Sequence, residues 1–313
     1  MKKFDILVVG ELNMDLILSD IQQFPALEKE VMAEGMLLTL GSSSAIFASN
    51  LSAIGNNVAF IGMVGKDSFG EKVISSLDAK NVNTTSIVVS NEHKTGITVA
   101  MVYQKERAMV TFAGAMNHFG NEQISDDLLK SAKHLHISSI FLQPQLKQDL
   151  YKILNRAKDF GLTISLDPQW DPNEKWDLDL EAIFDLVDVF LPNSAEWKCL
   201  CGDSDLKNSL LKFKNRKAIL VVKDGIKGAY CWHQENLIFQ QAFICLPYAD
   251  AIGAGDSFDA GFIHAFIQHE EVSECLLNGC LMGALNTTCA GGTAAFSSEK
   301  DIAKFIENTL NTN

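Results

Sequence analysis

The chain has 313 residues, a net charge of −13, 47% hydrophobic and 21% charged residues, a balance typical of globular proteins and unlike disordered or fibrous ones. An acidic surface with no Lys/Arg cluster repels a phosphate backbone, which argues against nucleic acid as a partner. The first apolar run, Ile6–Val9, is shorter than the ~7–15 residues of a signal core, and the seven cysteines lack C-x-x-C pairs, so the reading is a cytoplasmic protein with reduced thiols and no membrane partner.

Short β-branched runs at Ile6–Val9, Val58–Met63, Leu135–Ile137, Thr163–Leu166, Val187–Leu191 and Ala218–Val222 read as buried strands. Between them, Ser44–Ile54, Phe69–Ala79, Pro144–Phe160 and Ala195–Leu200 repeat apolar residues at helical spacing. The alternation predicts an α/β fold, a doubly wound and mostly parallel sheet with helices on both faces. Two stretches break the rhythm, Val31–Leu40 and Thr95–Phe112, the second interrupted by the polar Gln104-Lys-Glu-Arg107. They predict extra strands forming a small β lid, about 12–40 and 95–115, over the active edge of a single 1–313 domain. An ordinary meander at the sheet edge is the alternative. From Gly255 onward the pattern is helical, over Asp256–Gln268, Ser273–Ala290 and Lys300–Leu310.

The segment richest in chemistry is Asp250-Ala-Ile-Gly-Ala-Gly-Asp256-Ser-Phe-Asp-Ala-Gly-Phe262, a glycine turn running into a helix. Small residues at Gly253, Ala254 and Gly255 let backbone approach a ligand, and N–H groups at a helix start attract an anion. The helix dipole favours an ionised Asp256 there, ready to accept a proton. Anion-binding amides beside a proton acceptor suit phosphoryl transfer from ATP to an alcohol. The plainer alternative is a loop in which Asp256 caps the helix, and Asp259, one turn on, reads as complementing the dipole.

Gly253-Ala-Gly-Asp-Ser-Phe258 with Ala260-Gly-Phe262 closely resembles the C-terminal signature of the ribokinase-like (PfkB) carbohydrate kinases. Other segments follow in that family's order: Gly10-Glu-Leu-Asn13-Met-Asp15, Gly41-Ser-Ser-Ser-Ala-Ile46, Gly62-Met-Val-Gly65-Lys-Asp67, Asp167-Pro-Gln-Trp-Asp-Pro172, Asn193-Ser-Ala-Glu196 and Lys223-Asp-Gly225-Ile-Lys-Gly228. The resemblance implies an ATP- and Mg²⁺-dependent sugar kinase with Asp256 as base, aided by Gly253, Ala254 and Gly255. On the sugar side it implies Asn13, Asp15, Gly41, Ser42, Ala45, Ile46 and Gln143. On the nucleotide side it implies Asn193, Glu196, Lys223, Gly225, Gly228 and Cys280, with Glu196 ordering water around Mg²⁺ and the carbonyls of Asp250 and Ile252 open to K⁺. It also implies a homodimer paired through the β lid.

Ile46 departs from this pattern, because the family usually has Asn there and isoleucine pairs with no hydroxyl. The acceptor is therefore open between a sugar and a nucleoside, and a catalytically silent sugar-binding regulator is the reading from outside the enzymes. The absence of Gly-x-Gly-x-x-Gly after the first strand speaks against a dinucleotide oxidoreductase.

Overall fold

The computed structural model describes residues 2–103, 106–203, 205–211 and 216–312. In chain order, the first half contains β1 (Phe4–Val9), β2 (Asn13–Ser19), β3 (Gly35–Leu40), α1 (Ser43–Ala53), β4 (Val58–Ile61), β5 (Met63–Gly65), α2 (Ser68–Asp78), β6 (Val88–Ser90), β7 (Gly96–Tyr103) and β8 (Glu106–Phe112). The middle contains α3 (Asp126–Lys130), β9 (Ala132–Ser138), α4 (Pro144–Asp159), β10 (Thr163–Asp167), α5 (Leu180–Leu186), β11 (Val189–Phe190), α6 (Ser194–Cys201), α7 (Leu206–Leu211) and β12 (Ile219–Lys223). The hairpin β13 (Ala229–His233) and β14 (Asn236–Gln240) and the helices α8 (Ala254–Ile267), α9 (Val272–Asn286) and α10 (Glu299–Thr312) complete it.

Eight strands form the main sheet in the order β14-β13-β12-β11-β10-β9-β1-β4. From β4 to β12 every pairing is parallel, and only the β12–β13–β14 edge is antiparallel. Strand β1 shows why both faces are covered. Its Leu7 and Val9 pack into one core with Leu146 and Ile153 of α4 and Phe184 of α5, while Ile6 and Val8 pack into a second core with Phe47 of α1 and Phe262 of α8. A run of four apolar residues thus serves two cores through the two-residue period of a strand.

A separate four-stranded sheet, in the order β3-β2-β7-β8, pairs β2 and β7 in parallel and the outer strands antiparallel. Alternate residues Thr98, Ala100 and Val102 of β7 line the large cavity beside the main sheet. Met36, Leu37, Val110 and Phe112 are exposed. Of the polar interruption expected in Gln104–Arg107, Gln104 and Lys105 lie outside the described residues.

Several boundaries differ from the sequence pattern for local reasons. The run Val58–Met63 divides at Gly62, where a Cβ would lie 2.4 Å from the Gly10 carbonyl oxygen, so two backbones cross in contact. Beyond that crossing, β5 leaves the main sheet and pairs with β6 instead. Val31–Leu40 becomes extended only from Gly35, and Val187–Leu191 contributes just Val189–Phe190 to the ladder. Strand β14 and helix α5, absent from the expected elements, are apolar but only five and seven residues long, too short for a period to mark them out.

Replacing Leu7, fully buried in the interior strand β1 next to the edge strand β4, by Ala removes packing that the two-sided sheet has no means of refilling. The urea-unfolding midpoint should fall by the equivalent of about 2–5 kcal/mol with an unchanged slope. A loss under about 1 kcal/mol would show that this strand is not the packed centre.

Candidate active site

Because β1, β9, β10, β11 and β12 run parallel, their carboxyl ends emerge along one edge. Ligands bind at such an edge in open α/β sheets. Here that edge opens into a cavity of about 1020 Å³, lined by residues from each of these strand ends, from the start of α8 and from the small sheet.

Asp256 sits in the first turn of α8, 7% exposed, and lines the cavity. The helix is capped by Gly253 in the left-handed region (φ 75°) with no side-chain cap, so Asp256 is not the capping residue. Its carboxylate instead accepts from Gln169 Nε2 at 3.1 Å and from Ser43. Gly253 must be a glycine: a Cβ would come within 2.7 Å of Gly292 Cα. The Ala254 amide is spent on the Ala251 carbonyl at 3.2 Å, and that of Ser257 returns to Gly253 at 2.8 Å. The amides of Gly255 and Asp256 have no such partner among the described residues. Of the three amides expected to face an anion, Ala254 is thus committed, while Gly253, like Gly255, has no backbone partner among the described residues.

Electrostatics at Asp256 also differ from the sequence reading, in which the helix dipole dominates. Burial raises its pKa to about 6, with Asp167 adding to the rise and Lys223 opposing it. Near pH 7 the group is still mostly ionised, and it is closer to neutrality than a free aspartate.

Asp259 corrects the dipole reading more sharply. It is buried, and Lys223 Nζ donates to both of its oxygens, at 3.0 and 2.9 Å, and to Asp167 Oδ2 at 3.0 Å. Burial works against the Lys223 charge, but Asp167 and Asp259 outweigh it and raise its pKa. Burial also drives Asp259 well above the usual carboxylate range, with Lys223 opposing the rise and Asp167 adding to it. Lys223, expected at the nucleotide, is committed to this network and still lines the cavity.

At one end of the cavity, Asn13 Nδ2 donates to Asp15 Oδ1 at 2.8 Å and to Thr98 Oγ1 at 3.1 Å. Gly41 leaves room for them, since a Cβ there would lie 2.3 Å from Asp15 Oδ1. Burial pushes Asp15 up to about 6, against the hydrogen bond from Asn13 and the charge of Arg107. Ser42 caps α1 by accepting from Ala45 N at 2.9 Å and donates to Glu11 O at 2.6 Å. Ile46 lines the cavity while packing toward Gly253 and Gly292. Ala45 and Gln143 do not line it: Ala45 is in the core, and Gln143 is fully buried with Nε2 on the carbonyls of Ser138 and Ser139.

At the other end, Asn193 and Glu196 form a reciprocal capping box at the start of α6, with Glu196 Oε2 accepting from Asn193 N at 2.9 Å. Burial, with Asp167 next, lifts Glu196 to about 7, and Lys223 opposes it. Gly225 lines the cavity. Gly228 instead lets the hairpin close, because a Cβ would meet Gln240 O at 2.0 Å. Cys280 is away from the cavity, packed in the core near Gln240. The Asp250 carboxylate is engaged by Ile252 N and Gly291 N, and the Ile252 carbonyl accepts from Asn286 Nδ2 at 2.6 Å. A monovalent cation there would share that oxygen with Asn286.

Sequence reasoning missed Glu11, Gln169, Trp170 and Arg107, all of which line the cavity. Glu11 stood inside a quoted motif and was passed over. It is buried against Ser44, and burial raises it to about 7. Gln169 and Trp170 also lie inside a quoted segment, but the pairing of Gln169 with Asp256, 87 residues away, has no local signal.

A parallel-sheet cavity with an aspartate at an open helix start defines a phosphotransferase-like site. The family model for pfkB family carbohydrate kinases matches residues 3–300, and the chain belongs to that family. It is similar to a ribokinase of Haemophilus influenzae, 22% identical over 96% of this chain and 98% of the relative, and to a 2-dehydro-3-deoxygluconokinase of Bacillus subtilis, 23% identical over 85% and 86%. Among solved structures, Arabidopsis thaliana ribokinase complexed with ribose and ATP matches with a TM-score of 0.84 at 22% identity, over 97% of this chain and 99% of that one.

Lys223→Met keeps much of the side-chain volume and leaves Asp167, Asp256 and Asp259 with no cation. Stability should fall by about 3–5 kcal/mol at pH 8, and by much less at pH 5. The sign follows from Asp256 and Asp259, whose folded pKa lies above the unfolded value: their neutral forms stabilise the fold at low pH, and for Asp256 that stability is lost as pH rises through about 6. Melting curves from pH 5 to 8 test this, and a loss that does not grow with pH would contradict the network.

Proposed function

We propose that the protein transfers the terminal phosphoryl group of ATP to a hydroxymethyl group of a sugar, with Asp256 as general base. The observation that carries this reading is the position of Asp256 and the open amides of Gly255 and Asp256 in one cavity with a hydroxyl-pairing end, Asn13 and Asp15, and a glycine- and carboxylate-bearing end, Gly225 and Glu196. The hydroxyl proton passes to Asp256 as the hydroxyl oxygen bonds to the terminal phosphorus and the bridging P–O bond to the leaving diphosphate breaks. The free amides take the charge on the transferred group, and the small sheet acts as a lid that excludes water.

Mg²⁺ arriving with the nucleotide would neutralise phosphate charge. It keeps most of its water shell and needs few protein ligands, which suits Glu196, a buried carboxylate that lines the cavity, with Asp167 and Asp256 close enough to act on it. Among the described residues no cluster of three or more His, Cys, Asp or Glu is arranged to hold a metal by itself. No described helix is long and apolar enough to cross a membrane, and a cytoplasmic location is part of the proposal. So is a homodimer through the exposed apolar residues of the small sheet.

The names of the relatives support a sugar acceptor and differ among themselves as to which. A nucleoside acceptor is the second reading, favoured by the apolar wall at Ile46. An ATP-consumption screen of sugars and nucleosides with Mg²⁺ separates them, and no turnover of any hydroxymethyl acceptor would remove both.

Asp256→Asn should lower kcat by about 10²–10⁴-fold while calorimetric ATP and acceptor affinities change little, because the amide cannot take the proton. A variant running near the wild-type rate would show that the base is another group. Ile46→Asn should shift preference toward more hydroxylated acceptors, since an apolar wall discriminates by only ~1–3 kcal/mol whereas a pairing group rejects analogues strongly. Identical acceptor profiles would show that Ile46 serves the core alone.

A further inference from the structure

The loop between β10 and α5 is built around a side chain that the proposed phosphoryl transfer does not use. Asp171, 2% exposed, accepts from the backbone amides of Asn173 at 2.8 Å, Lys175 at 2.9 Å and Trp176 at 2.8 Å. Gln169, Glu174 and Trp176 all take left-handed conformations, with φ of 59°, 51° and 52°. Non-glycine residues persist there only when the surroundings hold them. The loop is therefore fixed in shape by its own buried carboxylate.

What it presents is aromatic. Trp176 packs against the core and meets Phe141 edge-on, with centroids 5.6 Å apart and planes at 73°, and Trp170 at 4.9 Å and 85°. Trp170 belongs to none of the described core clusters, remains 46% exposed and lines the cavity together with Phe141. A perpendicular contact covers at most one face of an indole, so another face stays open. A rigid aromatic surface with an open face, backed by a second ring, is a platform that folding alone does not require. It lies next to the chemistry, because the preceding residue, Gln169, donates to Asp256.

The C–H face of a sugar ring is apolar and weakly positive, and it stacks on the negative face of an aromatic ring, while its hydroxyls point outward to polar neighbours. Asn173 and Asn117 line the same cavity and supply such neighbours. The loop's one cation, Lys175, is exposed and does not line the cavity, and Asp171 is turned to backbone amides. We propose that Trp170, with the core ring of Phe141 at its side of the cavity, forms a subsite for a second sugar ring, so that the acceptor is a disaccharide or glycoside rather than a free monosaccharide. The inference rests on the reading of the protein as a sugar kinase and adds the class of sugar.

The test pairs one-ring and two-ring acceptors, glucose with cellobiose and maltose, and fructose with sucrose, and includes adenosine. It uses the full chain in an ADP-release assay and in calorimetry without nucleotide. At least one two-ring sugar should exceed its one-ring counterpart at least tenfold in kcat/KM. Trp170→Ala should erase that gap mainly through KM, and Trp170→Phe should keep most of it. A gap unaffected by Trp170→Ala, or one-ring acceptors favoured throughout, overturns the subsite. A Trp170-dependent preference for adenosine overturns the sugar identity of the ring. If no acceptor is phosphorylated, the kinase reading fails by itself. Calorimetry then still decides the subsite: tighter binding of a two-ring sugar that Trp170→Ala abolishes sustains it, and equal binding across the pairs overturns it.

Discussion

One ammonium group organises the carboxyl edge of this sheet. Lys223, at the end of β12, draws Asp167 from the end of β10 and Asp259 from α8 onto a single charge. Two strand ends and a helix are thereby fixed relative to one another without a metal or a disulfide. Buried charge of this kind is poor value as stabilisation. Its effect is positional: α8 is held so that its first turn, and Asp256 with it, faces the cavity. The same cation moderates the repulsion that neighbouring carboxylates exert on Asp256 and Glu196.

Much of the fold was legible because buried parallel strands are continuous apolar runs, and the runs at Ile6, Leu135, Thr163 and Ala218 each became a strand of the main sheet. The glycine turn before Asp256 was legible for a related reason, since close backbone approach leaves few residue types at Gly253 and Gly41. What sequence could not yield is pairing at a distance. Asp259 has the same local signal as any acidic residue in a first helical turn, and only the arrival of Lys223, 36 residues away, makes it a buried ion-pair partner. The helix dipole is likewise a local argument about Asp256, and burial, a property of the assembled molecule, outweighs it.

The acceptor end follows a different logic from the network around Lys223. Asn13 and Asp15 come from the strand that begins the small sheet, and Thr98, which bonds Asn13, comes from its parallel neighbour. Hydroxyl-pairing groups and the overhanging sheet are one piece of backbone. On the proposed reading, movement of that sheet would carry these groups with it, and closure and acceptor recognition would be one mechanical event.

The links that complete the site also span the chain. Asn50 of α1 donates to Ser257 of α8 and to the carbonyl of Gly292, contacts that bridge 207 and 242 residues. During synthesis, the sheet edge from β1 to β12 can assemble while α8 is still inside the ribosome. Asp256, its amides and Asp259, the second partner of Lys223, all arrive afterwards, on one helix. On the proposed reading, a nascent chain would carry the groups of the acceptor end before the aspartate proposed as base, and catalytic competence would wait until translation has nearly passed through the fold.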